Sequence, residues 1–201
     1  MNATTVADDI RGHLVVVMAP SGSGKGTLVK KALEAYPNIY KKISCTSREK
    51  RPGEEDGKQY YFLTDAEFQQ KIDAGDFLEW AEFAGHKYGT LKSEILPRLQ
   101  DPQLVLLEME LQGVEQLVTL LPREYMTIVY VDAGDWETLK ARIIARSPIT
   151  EEELEGRRQR FLIEEQAKSL ADVIIDNSGD LEGAYQQFSK VIEEALTTCK
   201  K

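Results

Sequence analysis

The 201-residue chain is poor in the residues that mark several classes of protein. Its two cysteines, Cys45 and Cys199, lie far apart and form neither a disulfide framework nor the paired spacing of a zinc site. A reducing environment is therefore expected. The longest apolar run, residues 14–19, is about a third of the length that a membrane-spanning helix needs. These absences argue against secreted, disulfide-rich and membrane-spanning proteins.

Positive charge is also scarce. The chain has 25 Lys and Arg against 34 Asp and Glu, a net charge of -9, whereas general nucleic-acid binding usually requires a basic face. The first six residues lack the basic and apolar regions of a secretory signal. We therefore expect a cytoplasmic protein that binds neither a nucleic-acid polymer nor a membrane. Its oligomeric state is left open.

Apolar runs alternate with helical patterns along most of the chain. Runs rich in β-branched residues or leucine predict strands buried on both faces at 14–18, 104–109, 127–131 and 173–175. Helical periodicity is present at 26–36, 112–121, 136–146, 151–170 and 181–199. The alternation predicts an α/β protein with a parallel central sheet and right-handed crossovers.

Two regions depart from this alternation. Residues 44–90 are rich in Tyr, Phe, Gly and charge, and the stretches 59–63 and 77–83 predict small antiparallel strands. This insertion is a candidate substrate subdomain. Residues 133–160 contain Arg142, Arg146 and Arg157 around a Ser-Pro break, and they are a second candidate mobile segment.

The first predicted strand leads into "VMAPSGSGKGT", residues 17–27, which nearly matches the phosphate-binding pattern G-x-x-x-x-G-K-[ST]. Backbone N–H groups at the start of the following helix are expected to face phosphate oxygens. Lys25 is expected to reach the β and γ phosphates. The candidate ATP phosphate-binding residues are Ser21, Gly22, Ser23, Gly24, Lys25, Gly26 and Thr27.

The loop departs from the pattern at two positions. Ala19 replaces the first glycine, and Gly26 replaces the usual magnesium-binding hydroxyl residue, so that the hydroxyl moves to Thr27. Thr27 is therefore a candidate Mg²⁺ ligand, directly or through water. The alternative is an ordinary Gly/Ser turn that binds nothing.

A second group of residues in "SCTSREKRPGEEDGKQYYF", 44–62, suits another phosphate. Arg48 and Arg51 lie three residues apart, next to Ser44 and Tyr60. Arginine forks match phosphate oxygens bidentately. For the two arginines alone, a solvated charged loop is the alternative.

This segment, followed by "FLEWAEFAGHKYGT" at 77–90, resembles the GMP-binding region of guanylate kinases, which are P-loop nucleoside monophosphate kinases. The resemblance extends from about residue 14 to 191, with every motif in the same order. It implies one domain, 1–201, with a P-loop NTPase three-layer fold and a parallel core sheet. The core would comprise about 12–43, 91–132 and 161–201, with a small mixed α/β GMP-binding insertion at about 44–90 and a helical lid at about 133–160.

The resemblance also implies residue roles. Arg48, Arg51, Tyr60 and Tyr88 would hold the GMP phosphate, Glu54 would orient an arginine, and Ser44, Glu79 and Thr90 would recognise guanine. The chemistry suits the last role, because guanine presents adjacent N1–H and N2–H donors that one carboxylate accepts. Adenine has no such pair on that edge.

The segment "VLLEMELQGVEQL", 105–117, departs from the family, which commonly has Asp-x-Asp here. Glu108 and Glu110 keep the charge but are each longer by one methylene. By resemblance, Glu108 would contact guanine or the water around a metal, and Glu110 would lie near Lys25 or the arginines. Both are candidate Mg²⁺ ligands through water.

The segment "LKARIIARSPITEEELEGRRQR" resembles the lid of the family. Arg142 and Arg146 are four residues apart and share one face of a helix. With Arg157 they match positions that close over the ATP phosphates, and Asn177 matches a position near the adenine. The alternative is a surface helix with ion pairs four residues apart.

The implied reaction is ATP + GMP ⇌ ADP + GDP, with Mg²⁺ as cofactor, dGMP as a second acceptor and a place in purine nucleotide metabolism. Such transfer depends on positioning and electrostatic stabilisation. The implied catalytic residues are Lys25, Arg48, Arg51, Arg142, Arg146 and Arg157. The alternatives are a kinase for another nucleoside monophosphate and a binding module of the same fold with little or no activity.

Overall fold

The computed structural model describes residues 9–83, 85–146 and 148–199, with the side chains of Phe83 and Arg146 outside that description. Its strands are β1 (His13–Met18), β2 (Tyr40–Lys41), β3 (Ser44–Thr46), β4 (Tyr60–Phe62), β5 (Phe77–Phe83), β6 (His86–Leu91), β7 (Leu104–Glu108), β8 (Met126–Asp132) and β9 (Val173–Asp176). Its α-helices are α1 (Lys25–Ala35), α2 (Asp65–Asp73), α3 (Lys92–Gln100), α4 (Leu111–Leu120), α5 (Trp136–Arg146), α6 (Glu151–Glu165) and α7 (Leu181–Thr198).

A five-stranded parallel sheet forms the centre, in the order β2-β7-β1-β8-β9. Every residue of β1 is buried, because helices cover both faces. Val16 belongs to a core that includes Ile95 of α3, whereas Val17 on the opposite face packs in a core with Leu28 of α1 and Phe188 of α7. The predicted α/β fold with a parallel three-layer core is confirmed.

A second sheet has four strands in the order β4-β3-β6-β5. β5 pairs antiparallel with β6, as predicted for residues 77–83. The antiparallel prediction for 59–63 is wrong, because β4 runs parallel to β3. The loop between them returns the chain to the same end of the sheet. Asp56 Oδ1 accepts the Phe62 N–H at 2.8 Å, and Tyr60 O accepts the Gly57 N–H at 2.9 Å. Residue alternation identifies a strand but not its direction.

The observed helix boundaries lie close to the predicted ones, except that one predicted α-helix is shorter and two observed helices were not predicted. The predicted helix 151–170 ends as an α-helix at Glu165 and continues as a 3₁₀ helix, Gln166–Leu170. Helices α2 and α3 were not predicted from the sequence. A signal for α2 was present, since Thr64 and Glu67 form a capping box at its start. Among the described helices, none is both long and apolar enough to cross a bilayer.

Candidate active site

A cavity of about 500 Å³ is lined by residues of both sheets. Its walls contain Lys25, Lys41, Lys42, Ser44, Arg48, Arg51, Glu54, Gln59, Tyr60, Glu79, Ala81, Tyr88, Gly89, Glu108, Met109, Glu110 and Gly113. The phosphate-loop lysine therefore shares one cavity with most of the residues implied for GMP. Thr90 lies directly behind this wall, fully buried and bonded to Glu79.

The phosphate loop is shaped by its backbone. Gly22 and Gly24 have φ of +96° and +90°, a region that residues with side chains rarely adopt. Gly24 precedes α1 and has no side chain to cap it. The Lys25 N–H donates to Ser23 Oγ at 3.4 Å and the Thr27 N–H to the Gly24 carbonyl at 3.0 Å, while the positive end of the helix dipole lies at the loop and favours an anion such as a phosphate.

Residues distant in sequence hold the loop from behind. Buried Asn177 donates from Nδ2 to the Ser23 carbonyl at 2.5 Å, and a Cβ at Gly24 would collide with it. Arg142 in turn donates to the carbonyls of Asn177 at 2.7 Å and Ser178 at 2.9 Å. The residue that the resemblance places near the adenine thus supports the phosphate loop.

Two of the three lid arginines lie at this loop. Arg142 reaches it through Asn177, and Arg157 Nη1 donates to Ser21 Oγ at 3.3 Å. Arg146 is the last residue of α5, and its side chain lies outside the described part of the chain. Gly22 packs against the same helix, since a Cβ there would lie 3.3 Å from Leu139 Cδ1.

Lys25 lies among carboxylates without forming an ion pair within the described residues. Glu164 of α6 is near enough to Lys25 for an electrostatic interaction between the two side chains. Burial, and then repulsion from Glu110, raise the pKa of the Glu164 carboxyl to about 7, although Lys25 opposes the shift. Glu164 has no distinctive motif around it and was not predicted from the sequence.

The phosphate end of the second sheet is organised by one carboxylate. Glu54 accepts from Arg48 Nη2 at 2.8 and 3.0 Å and from the Arg51 backbone N–H at 2.8 Å. The pairing lowers the pKa of Glu54 and raises that of Arg48. The Arg48 guanidinium lies 5.6 Å from the Tyr60 ring, and that ring meets the Tyr88 ring edge to face at 5.9 Å. Two guanidiniums and two phenols thus border one end of the cavity.

The other end contains a buried group of three polar side chains. Thr90 donates its hydroxyl to Glu79 Oε1, and Lys42 Nζ donates to Thr90 Oγ1 at 2.6 Å and to Glu79 Oε1 at 3.3 Å. Gly113 of α4 makes room for this group, because a Cβ there would lie 2.7 Å from Glu79 Oε2. Lys42 was not predicted from the sequence as a site residue. A lysine at the end of a short strand normally faces solvent.

The two glutamates that replace the usual aspartates differ in their partners. Glu108 pairs with Lys41 at 2.9 Å, whereas Glu110 is exposed at the start of α4. Within the described residues, no group of three or more His, Cys, Asp or Glu forms a metal-binding cluster. Hydroxyl and carboxylate oxygens are nevertheless the ligands that Mg²⁺ prefers. The residues fit an ion held mainly by nucleotide phosphates and water. Glu110 and Thr27 supply the carboxylate and hydroxyl oxygens that suit Mg²⁺ at this site.

Comparisons with known proteins agree on one family. The family model described as guanylate kinase matches residues 11–195. A guanylate kinase of Nostoc sp. is 40% identical over 96% of this chain and 94% of its own length, and one of Thermobifida fusca is 39% identical over 83% and 84%. The crystal structure of guanylate kinase from Anaplasma phagocytophilum has a TM-score of 0.74 and 27% identity over 96% of this chain and 90% of that chain.

Proposed function

The chain belongs to the guanylate kinase family, and we propose that it transfers the terminal phosphoryl group of ATP to GMP and dGMP, forming ADP and the diphosphate. One observation carries the proposal. A single cavity is lined by Lys25 of the phosphate loop, by Arg48 and Tyr60 on one side, and by the carboxylate of Glu79 on another. This arrangement supports the binding of two nucleotides with their phosphates adjacent.

On the donor side, the backbone N–H groups at the start of α1 and the ammonium of Lys25 would hold the ATP phosphates. Lys25 has no competing ion pair within the described residues. Arg157 contacts Ser21 at the edge of the loop and would neutralise charge on the transferring group. Arg142 would act by fixing Asn177 behind the loop, and Arg146 remains a proposed member of the same set.

On the acceptor side, Arg48 and Arg51 would bind the GMP phosphate together with the two tyrosines. Glu54 holds Arg48 in place before the ligand arrives, which lowers the entropic cost of forming the contact. Glu79 would accept from the guanine edge, with Ser44 and Thr90 beside it. The GMP phosphate is itself the nucleophile, so that the protein needs to align it and to exclude water.

Mg²⁺ is proposed as the cofactor that enters with ATP. When bound, such an ion neutralises the charge on the β and γ phosphates. The exposed carboxylate of Glu110 and the hydroxyl of Thr27 would hold it through water. Glu108 could take a similar role only if its ion pair with Lys41 were broken.

The two rival functions differ from the proposed one in the substrate or in turnover. A kinase for another nucleoside monophosphate would share the donor side but would lack a use for Glu79. An inactive module would bind GMP without turnover, and Gly26, Glu108 and Glu110 are the residues that favour it. The segments 44–90 and 133–160 are proposed as the parts that close over the substrates. A cytoplasmic location stays a prediction from the sequence.

The test is a coupled ADP-release assay with ATP, Mg²⁺ and each of GMP, AMP, UMP and CMP. We expect turnover with GMP that is lost in Lys25→Ala and retained in Lys30→Ala, whose lysine side chain on the same helix is 78% exposed. Turnover with AMP but not GMP would contradict the proposal. Equal activity in the two variants would place the donor site elsewhere, and GMP binding without turnover would favour the inactive module.

A further inference from the structure

Lys42 is the unexpected member of the cavity wall. Its side chain is only 5% exposed, and the Glu79 carboxylate with which it pairs is 8% exposed. Burying an ammonium group is costly unless it is paired and hydrogen-bonded. Its neighbour Lys41, with a side chain 47% exposed, incurs no comparable cost. A charged lysine therefore lies inside the end of the cavity where the acceptor base is proposed to bind.

The hydrogen bonds of this group can be counted atom by atom. Glu79 Oε1 receives the Thr90 hydroxyl and one Lys42 N–H, which satisfies both of its lone pairs. Lys42 gives a second N–H to Thr90, so that one of its three donors has no partner among the described residues. Glu79 Oε2, which faces Gly113, likewise has no hydrogen bond within the part of the chain that the structure describes. The cavity wall thus presents one open donor beside one open acceptor.

We propose that Lys42 is a specificity-determining residue that donates to the 6-oxo group of the acceptor base, while Glu79 Oε2 accepts from the base N1–H. This inference rests on the proposed function. A 6-oxopurine presents an acceptor at position 6 next to a donor at N1, which complements the Lys42 and Glu79 pair. Adenine has the opposite order, with an amino donor at position 6 and an acceptor at N1. An adenine base therefore opposes the ammonium with an amino group and the carboxylate with a lone pair.

The same pairing weakens recognition of the 2-amino group. A carboxylate with both oxygens free would accept N1–H and N2–H separately. Here Oε1 is already occupied by Thr90 and Lys42, so only Oε2 serves the base. Hypoxanthine differs from guanine only by lacking the 2-amino group. The site therefore selects 6-oxopurines strongly over adenine, and guanine only modestly over hypoxanthine.

The first test uses the unaltered protein and measures kcat/KM for GMP, IMP and AMP with saturating ATP. A missing hydrogen bond costs roughly a factor of 10, and two buried mismatches cost about 10²- to 10⁴-fold. We expect IMP within about tenfold of GMP and AMP about 10²-fold or more below it. An IMP value more than about a hundredfold below GMP would overturn the inference. If GMP itself is not phosphorylated, the proposed function fails instead.

The second test is Lys42→Met, which keeps the length of the side chain and removes its charge and donors. The preference for GMP over AMP should fall about 10- to 100-fold, because one of the two mismatches disappears. The preference for GMP over IMP should rise several-fold, because Oε1 becomes available to the 2-amino group. Two ratios that move in opposite directions distinguish base recognition from a general structural defect.

Lys58→Met is the matched control, since the Lys58 side chain is 64% exposed and should leave both ratios unchanged. Thermal unfolding and ATP binding would show whether Lys42→Met is folded. If it is not, the IMP and AMP values of the unaltered protein still decide the question. Both ratios within about twofold of the unaltered protein in a folded Lys42→Met would overturn the role of Lys42.

Discussion

The phosphate loop, which is the proposed donor region, and the GMP end of the cavity, which is the proposed acceptor region, hold their charged side chains differently. At the phosphate loop, Lys25 has no ion pair within the described residues, and Glu164 nearby has a pKa raised to about 7 by burial. In the acceptor region, Arg48 is paired with Glu54, and the pKa of that carboxyl is lowered. Within the described residues, the lysine of the donor region is thus unpaired, whereas the arginine of the acceptor region is already paired with a carboxylate before a substrate binds.

The two regions also differ in what shapes them. Backbone conformation shapes the phosphate loop, through two glycines with positive φ, and the Asn177 side chain supports it from behind. Side-chain contacts form the acceptor end, where the carboxylates of Glu54 and Glu79 hold Arg48 and Lys42. We infer that side-chain substitutions in one region should change the binding of one substrate only. Three variants test this separation, and a fourth, Glu164→Gln, tests the difference in charge pairing.

The largest effect is expected for Arg48→Ala. The change removes a charged donor for the GMP phosphate and leaves the Glu54 carboxylate unpaired beside it. We expect kcat/KM for GMP to fall about 10²- to 10³-fold, while the Kd of ATP stays unchanged. Steady-state kinetics with GMP varied and ATP titration by calorimetry provide the measurements. An equal loss of ATP affinity would show that the regions are coupled, and Arg158→Ala, an exposed arginine of α6, serves as the control.

The second effect concerns Glu164. The ionised form of its carboxyl is less favourable in the folded protein than in the unfolded protein. A pKa raised from 4.5 to about 7 means that folding favours the protonated form, so this contribution is full below pH 4.5 and lost as pH rises through 7. The loss amounts to at most about 3 kcal/mol. Glu164→Gln should therefore raise the free energy of unfolding at pH 8 and change it little at pH 4.

Urea unfolding of both proteins at a series of pH values measures this difference. Glu54→Gln is the comparison from the acceptor region, because the pKa of Glu54 is lowered by Arg48 and the backbone of Arg51. It should be destabilising near neutral pH, with the difference lost as pH falls through the lowered pKa. A Glu164→Gln difference that does not depend on pH would refute the separation of charges at the phosphate loop.

Gly113→Ala comes next, with an expected effect of about tenfold. The added Cβ would lie 2.7 Å from Glu79 Oε2, so the carboxylate must shift away from the base. We expect KM for GMP to rise about tenfold, a cost of about 1.4 kcal/mol, with no change in KM for ATP. Gly156→Ala is a matched control, because no atom lies within 4 Å of its added Cβ and alanine favours the helix. Equal kinetics for the two variants would contradict the proposed position of Glu79.

The same contrast explains how far the sequence could be interpreted. The buried strands β1, β7 and β8 were predicted within one residue, since continuous apolar runs occur where both faces are covered. β9 was also located, but its predicted burial on both faces is wrong, because it is an edge strand and Ile174 is 50% exposed. The two-residue strand β2 was not predicted. The short strands of the second sheet are only partly buried, and the direction of Tyr60–Phe62 depends on the hydrogen bonds of the preceding turn. No pattern of residue types encodes that direction.

The candidate site divides in a similar way. The phosphate loop, Arg48 and Glu79 belong to contiguous motifs, so their sequence context identifies them. Lys42 and Glu164 carry no motif of their own, and their importance comes from burial beside groups distant in sequence. Such contacts between distant segments exist only in the folded chain.

The smallest effect is expected for Arg142→Ala. Among the described residues, Arg142 donates to the carbonyls of Asn177 and Ser178, and Asn177 in turn donates to the phosphate loop at the Ser23 carbonyl. Water can replace the donor to Ser178, which is exposed. Removing a support rather than a ligand should cost about 1 kcal/mol, seen as a several-fold rise in KM for ATP. KM for GMP should not change. Lys140→Ala, whose lysine pairs with Glu137 on the same helix, should leave both values unaltered. A rise in KM for GMP alone would mean that Arg142 serves the acceptor region, and the division between a donor region shaped by backbone and an acceptor region shaped by ion pairs would then be wrong.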